Sequence, residues 1–320
     1  VRISLACLVV AVAGCVGQAS PILAHAEAPD PALTTPGLHA ITLAVGGDYT
    51  TGYVAVPEGG HATALVVLAK GLGVPAAAWR PFMEELAARG AASIAMEYRG
   101  AQDAWKVRAG AEDTLAAAHA LRRAHPEATR VILYGVSMGG EASGLALAHA
   151  PRGTFTHWLA GSGVMDLRSE WQDAASFQPL IEAEAGATPL QAPAAYSALS
   201  PIDQVPAIAA QGLRRAYFVH GAGDTVVPAE QADRMVRALS AAGVPVSHTV
   251  ILSEPNAWAC TPAVIACAAT AAPNGPAGHE AGISKVALDI LRGLVEGKPD
   301  PDAAFQRTWV EGGSGTAVEA

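Results

Sequence analysis

The sequence predicts an α/β fold, with an about eight-stranded, mostly parallel sheet, helices on both faces and a small helical insertion above it. Three observations carry this expectation. Short, continuous apolar runs recur along the chain, each suited to a strand buried on both faces. Amphipathic segments at helical spacing alternate with them. A single stretch, 168–212, rich in Ala, Pro and Gln, breaks the alternation without a strand of its own.

The elements follow in order. His39–Val45 and Thr51–Val56 flank Gly46-Gly47-Asp48 and read as an antiparallel hairpin. Ala64–Ala69 is the first fully apolar run, and Ala92–Met96, Val131–Tyr134, Trp158–Ala160, Tyr217–Val219 and Thr249–Leu252 continue the series. Helical patterns fall on Pro81–Ala88, Ala109–Ala124, Gly140–His149, Glu230–Ala241 and His279–Val295. Strands joined by helices run parallel, because a crossover returns the chain in the same direction. The expected organisation is an export signal over 1–28, one domain over 29–298, and a disordered Pro- and Gly-rich tail over 299–320.

Composition narrows the function classes. With 320 residues, 51% of them hydrophobic, the chain can bury a full core. Its net charge of -9, with no Lys/Arg run, argues against a nucleic-acid partner, since phosphate recognition needs a basic patch.

Arg2 precedes an apolar stretch, Ile3–Val16, too short to span a bilayer as a helix and ordered like an export signal. Two cleavage patterns compete. Val12-Ala13-Gly14-Cys15 resembles a lipobox, in which Cys15 is lipidated and anchors the protein to a membrane. Ala24-His25-Ala26 fits an ordinary signal-peptidase site. Both imply an exported protein, periplasmic, extracellular or lipid-anchored to the bacterial envelope. Of four cysteines, only Cys260 and Cys267 lie in the body of the chain, close enough for a small disulfide in an oxidising compartment.

The chemistry centres on Gly135-Val136-Ser137-Met138-Gly139, which follows an apolar run and precedes a helical pattern. A serine at such a strand-to-helix turn is held in a strained conformation with its hydroxyl exposed, and the glycines leave room for the turn. The helix start supplies N–H groups for a developing oxyanion. Ser137 is therefore the expected nucleophile.

A serine hydroxyl needs a base. Of ten histidines, His25 is in the leader, while His39, His61, His119, His125, His149 and His157 come too early for a Ser–acid–His order. His220 ends a strand and His248 begins one. His279, in Gly278-His279-Glu280, follows the last strand and opens the final helical pattern, so it is the expected base. The orienting acid belongs at a strand end between the two. Asp224 occupies it, in the Gly-rich turn after Tyr217-Phe218-Val219-His220. The oxyanion donors are the backbone N–H of Met138 and one from Lys70-Gly71-Leu72-Gly73, assigned to Leu72.

Taken together, these pieces resemble the α/β-hydrolase superfamily, from about His39 to Val295. Ser200-Pro201-Ile202, the run from His220-Gly221 to Asp224-Thr225-Val226-Val227-Pro228, and Thr51–Pro57 look like its prolyl-oligopeptidase and dienelactone-hydrolase branch. There are departures. Lys70-Gly71 stands where many relatives have His-Gly, and the stretch from Glu254 to Ala277 is unusually long. The resemblance implies two-step acyl transfer through an acyl-enzyme on Ser137, with no metal or organic cofactor. The expected substrate is a small or medium carboxylic ester. A serine peptidase is the nearest alternative, placed second because the N-terminal region is too short for the propeller such peptidases carry. An acyltransferase and a non-enzymatic binding lipoprotein complete the alternatives. Trp105, Trp171 and Trp258 are expected either to wall an acyl pocket or to pack the insertion onto the body.

Overall fold

The computed structural model describes residues 30–100, 102–252, 277–298, 306–309 and 316–318. The hairpin forms as β1 (Gly37–Val45) and β2 (Asp48–Val56), turning at Gly46 and Gly47, both at positive φ. The parallel strands are β3 (Ala64–Ala69), β4 (Ala91–Met96), β5 (Arg130–Val136), β6 (His157–Gly161), β7 (Arg215–Gly221) and β8 (Val246–Ile251). Their spatial order is β1-β2-β4-β3-β5-β6-β7-β8, antiparallel across β1, β2 and β4 and parallel thereafter.

Helices α1 (Arg80–Ala88), α2 (Val107–Ala124), α3 (Met138–His149), α8 (Glu230–Ala241) and α9 (Lys285–Glu296) connect or follow the strands. Two hydrophobic clusters pack on opposite faces of the sheet, one with α1 and α9, the other with α2, α3 and α8. Strand β5 shows the two-residue period: Val131 and Leu133 enter one cluster, Ile132, Tyr134 and Val136 the other. Helix α3 is buried from Met138 to Leu147, so the turn before it is anchored in the centre of the core.

The 168–212 insertion is helical as expected, comprising α4 (Leu167–Asp173), α5 (Gln178–Ala185), α6 (Pro193–Leu199) and α7 (Val205–Ala210). Its Ile181, Tyr196, Leu199 and Ile208 join the cluster that holds α2 and α3. Trp105 is buried against Phe177, with ring centroids 5.5 Å apart, and Trp171 donates to Glu182 Oε1 at 2.9 Å. Of the two roles expected for the tryptophans, Trp105 therefore packs the insertion onto the body, while Trp171 ties α4 to α5 within the insertion and packs partly buried against the same cluster. Trp258 lies outside the described residues.

Two expectations differ from what is observed. The helix expected from His279 onward begins as a 3-10 turn, His279–Ile283, and becomes α9 only after extended Ser284. Contact with the sheet interrupts it: Gly282 is pressed against Gly161 at the end of β6, and its carbonyl accepts from Tyr134 Oη at 2.6 Å. In the tail expected to be disordered, β9 (Gln306–Trp309) pairs parallel with β8, and β10 (Thr316–Val318) pairs antiparallel with β9. These segments satisfy the exposed edge of β8, which a solvent-facing coil leaves unpaired. The export signal, Cys15, Cys260 and Cys267 all lie outside the described residues. Among the described residues no helix is long and apolar enough to cross a membrane.

Candidate active site

Ser137 sits between β5 and α3 at φ 57 and ψ −128. A non-glycine residue at positive φ is strained and persists only where its surroundings impose it. The surroundings here are close backbone packing. A Cβ on Gly135 would come within 2.2 Å of the Gly139 carbonyl oxygen, and one on Gly139 within 2.1 Å of that of Ala69. Gly139 is thus required by the approach of β3 to the turn, and Gly135 by the approach of α3 back onto β5. Ser137 N donates to Gly161 O at 3.0 Å, and Gly140 N to Ser137 O at 2.8 Å, closing the corner.

The His279 turn is brought to Ser137 by contact with two strand ends. A Cβ on Gly161 would lie 2.0 Å from Gly282 O, and one on Gly221 2.3 Å from Gly278 O. Gly223 N donates to Ala277 O at 2.8 Å. Held there, His279 Nδ1 meets Asp224 Oδ2 at 2.9 Å. The Asp224 side chain is fully buried and that of His279 is 21% exposed, which leaves one end of the ring accessible.

Ser137 and His279 line one cavity of about 160 Å³, together with Gly71, Leu72, Val74, Trp79, Val136, Glu280 and Ile283. No hydrogen bond joins Ser137 Oγ to the ring here, a frequent state of such pairs before substrate arrives. Asp224 Oδ1 accepts from Val226 N at 2.9 Å and Val227 N at 3.0 Å. These donors, with His220 and His279, hold its carboxyl well below the usual carboxylate range against an opposing push from burial. Asp224 therefore stays ionised, with an oxygen directed at His279.

The expected oxyanion donors are the backbone N–H groups of Met138 and Leu72. Met138 is the first residue of α3, so its N–H has no intrahelical acceptor. Leu72 lines the cavity beside Gly71, where a Cβ would lie 3.4 Å from Ser137 Cβ. Neither N–H donates to a carbonyl among the described residues. Lys70 explains one departure from the resemblance. It is buried, 3.9 Å from Glu97 Oε2 and 5.0 Å from the centroid of the Tyr98 ring, so it braces the loop from behind. Burial pushes its ammonium down.

Sequence reasoning passed over three groups. His220, set aside as a strand-end residue, is buried against Asp224 Oδ2 at 3.3 Å. Glu141 and Glu170 are buried acids near one another. Glu141 Oε2 accepts from Trp105 Nε1 at 3.0 Å and Glu170 Oε2 from Gln231 Nε2 at 3.2 Å, while the other oxygen of each has no partner. Burial pushes Glu141 well up, and burial with the nearby Asp224 charge pushes Glu170 up to about 8. Glu141 left a trace in the sequence, as the one charge in an otherwise apolar helix; Glu170 left none. Among the described residues no group of three or more His, Cys, Asp or Glu is arranged to hold a metal ion.

Comparison with known proteins agrees with this architecture. No curated protein sequence matches the chain. Among solved structures, the acylaminoacyl peptidase of Pyrococcus horikoshii is similar at 17% identity and a TM-score of 0.55, over 67% of this chain and 36% of its own. A puromycin-hydrolyzing peptidase of Mycobacterium tuberculosis is similar at 24% identity and 0.53, over 70% of this chain and 36% of its own. A puromycin hydrolase is similar at 20% identity and 0.59, over 84% of this chain and 40% of its own. The chain thus spans well under half the length of these proteins. The model of the prolyl oligopeptidase family matches residues 83–263, more than half of the chain and the stretch that holds Ser137 and Asp224. The chain belongs to the prolyl oligopeptidase family and shares its α/β-hydrolase fold.

Proposed function

We propose that the protein is a serine peptidase whose nucleophile, base and orienting acid are Ser137, His279 and Asp224. The observation that carries this reading is the 2.9 Å pairing of His279 Nδ1 with Asp224 Oδ2, with the other end of the ring in the cavity that Ser137 lines. Ester hydrolysis, placed first on sequence, moves to second place. Acyl-enzyme chemistry is common to both, and the family and the similar structures are those of peptidases. One of those peptidases is bound to Z-Gly-Gly-Phe-chloromethyl ketone, a peptide compound.

In this mechanism His279 Nε2 takes the proton from Ser137 Oγ as the oxygen attacks the scissile carbonyl. Asp224 holds the ring in the Nδ1–H tautomer and stabilises the imidazolium. The oxyanion is met by the N–H groups of Met138 and Leu72, and the positive end of α3 adds a favourable field. His279 then gives its proton to the leaving amine, activates water, and returns the serine as the acyl group departs as an acid. Membrane anchoring through a lipidated Cys15, and export itself, remain proposals from the sequence alone.

A panel of peptide anilides and matched aryl esters tests the substrate class. Amide turnover by the wild-type protein, lost in Ser137→Ala, is the expected result. Turnover of esters with none of any amide would return the carboxylic ester to first place.

A further inference from the structure

An ionised carboxylate has about four acceptor positions, two on each oxygen. Val226 N and Val227 N occupy those of Asp224 Oδ1, and His279 Nδ1 takes one on Oδ2. Fully buried His220 faces the last, its Nε2 3.3 Å from Oδ2 and 2.8 Å from the Val227 carbonyl oxygen. A carbonyl oxygen only accepts, so Nε2 carries the proton; its N–H is bonded to Val227 O, and Asp224 Oδ2 lies 3.3 Å from the same nitrogen. The Nδ1 of His220 is buried with no hydrogen-bond partner. The ring therefore presents Nε2, and not Nδ1, as its donor toward Asp224.

Phe218 pairs with His248 across β7 and β8, which puts His248 diagonally beside His220 on the same sheet face. His248 is buried, with Nδ1 3.4 Å from Asp233, and burial pushes it down to about 4 despite that carboxylate. It is uncharged at neutral pH. Arg237 also faces His248, and Glu170, made a weaker acid by burial and by the Asp224 charge, lies near Asp224.

We propose that His220 is a positioning residue of the active site, a second imidazole that fixes the rotation of the Asp224 carboxylate and draws off part of the charge on Oδ2. The proposal rests on the triad reading above. Without His220, Oδ2 is held only by His279, the ring that Asp224 has to orient; a second donor on Oδ2 fixes the carboxylate plane independently of that ring. Sharing Oδ2 between two N–H groups also weakens its hold on the His279 imidazolium. Losing the fixed carboxylate plane should slow proton transfer when His220 is removed, and the stronger hold on the imidazolium should raise the pH at which the base becomes active.

The test reads the rate at which a fluorophosphonate modifies Ser137, across pH, in wild type and in His220→Leu, His220→Asn and His220→Gln. Leu fills the space without a donor, Asn carries an amide too short to reach Oδ2, and Gln can restore the N–H. Expected is a fall of about 10- to 100-fold in Leu and Asn at neutral pH, the loss of one charge-assisted hydrogen bond. With it, the midpoint of the acid limb moves upward by about half a unit or more, and Gln recovers most of the rate and the wild-type midpoint. Folded Leu or Asn variants with the wild-type rate and midpoint overturn the proposal. So does an equal slowing in all three with an unmoved midpoint, the signature of a merely structural histidine. Should Leu not fold, the Asn and Gln pair decides alone. Absence of Ser137 labelling in the wild type is a different outcome, and overturns the triad reading on which the proposal stands.

Discussion

Asp224 and Glu170 are buried carboxylates of the same domain, yet they hold opposite charge states. Asp224 is held below the usual carboxylate range, and Glu170 is pushed up to about 8. Both are desolvated, so burial does not separate them; the donors do. Asp224 collects two backbone N–H groups and two imidazoles. Glu170 has one amide, from Gln231, and its Oε1 has no partner. Glu141 repeats the second case with one indole N–H. A buried acid surrounded by donors becomes a fixed charge able to orient a histidine. One with too few donors keeps its proton and serves as a packed polar group.

The largest effect should come from removing the charge of the first region. Asp224→Asn preserves shape but turns an acceptor into a donor opposite His279 Nδ1, favouring the wrong tautomer. A fall of about 10⁴-fold in kcat is expected, measured on whichever substrate the panel identifies. A fall of less than tenfold would mean that the Asp224 charge is not what distinguishes it from Glu170.

Next is the packing that delivers His279 to that charge. Gly161→Ala places a Cβ where Gly282 O now sits, so the turn must move. A displacement approaching 1 Å costs about 100-fold in rate, with substrate KM little changed. An unchanged rate would show that the turn has room the structure does not give it.

The Glu170 region predicts stability, not rate. Its folded pKa, about 8, lies above the unfolded value near 4.5, so the native state holds a proton that the unfolded chain has lost. The stability Glu170 contributes is full below about pH 4.5 and declines as pH rises to about 8. Glu170→Gln removes that slope. Denaturant unfolding at pH 5 and pH 8 should show the variant gaining about 3 kcal/mol on the wild type over this interval, with Ser137 labelling retained. Parallel pH dependence in the two proteins would place an ionised Glu170 in the fold. The smallest effect is expected for Trp171→Phe, which loses the bond to Glu182 and about 1 kcal/mol of stability without slowing labelling.

The same contrast marks what the sequence could reveal. The sheet was legible because each strand is a continuous apolar run, and the Ser137 turn because glycines are forced wherever backbones touch. Asp224 was legible because a Gly-rich turn ends β7 there. His220 was read only as part of β7, because its role depends on a fully buried ring meeting a carboxylate four residues on, a distance set by the turn and not by spacing. Glu170 was illegible for a stronger reason. Its environment is built by Gln231 of α8 and by residues of α3 and the insertion, contacts far apart in the chain that leave no local pattern. The break before α9 was missed likewise, since it comes from Gly282 pressed against Gly161. Peptide over ester was a matter of family, not of residues that periodicity can display.

The central claim is that Ser137 is an activated nucleophile served by His279 and Asp224. Its most direct test is reaction of the purified, folded protein with a fluorophosphonate probe, followed by mass-spectrometric mapping, with Ser137→Ala and His279→Ala in parallel. The account predicts a single adduct on Ser137 in the wild type and none in either variant. A folded wild-type protein that takes no label, or labels elsewhere while Ser137 remains free, would contradict it.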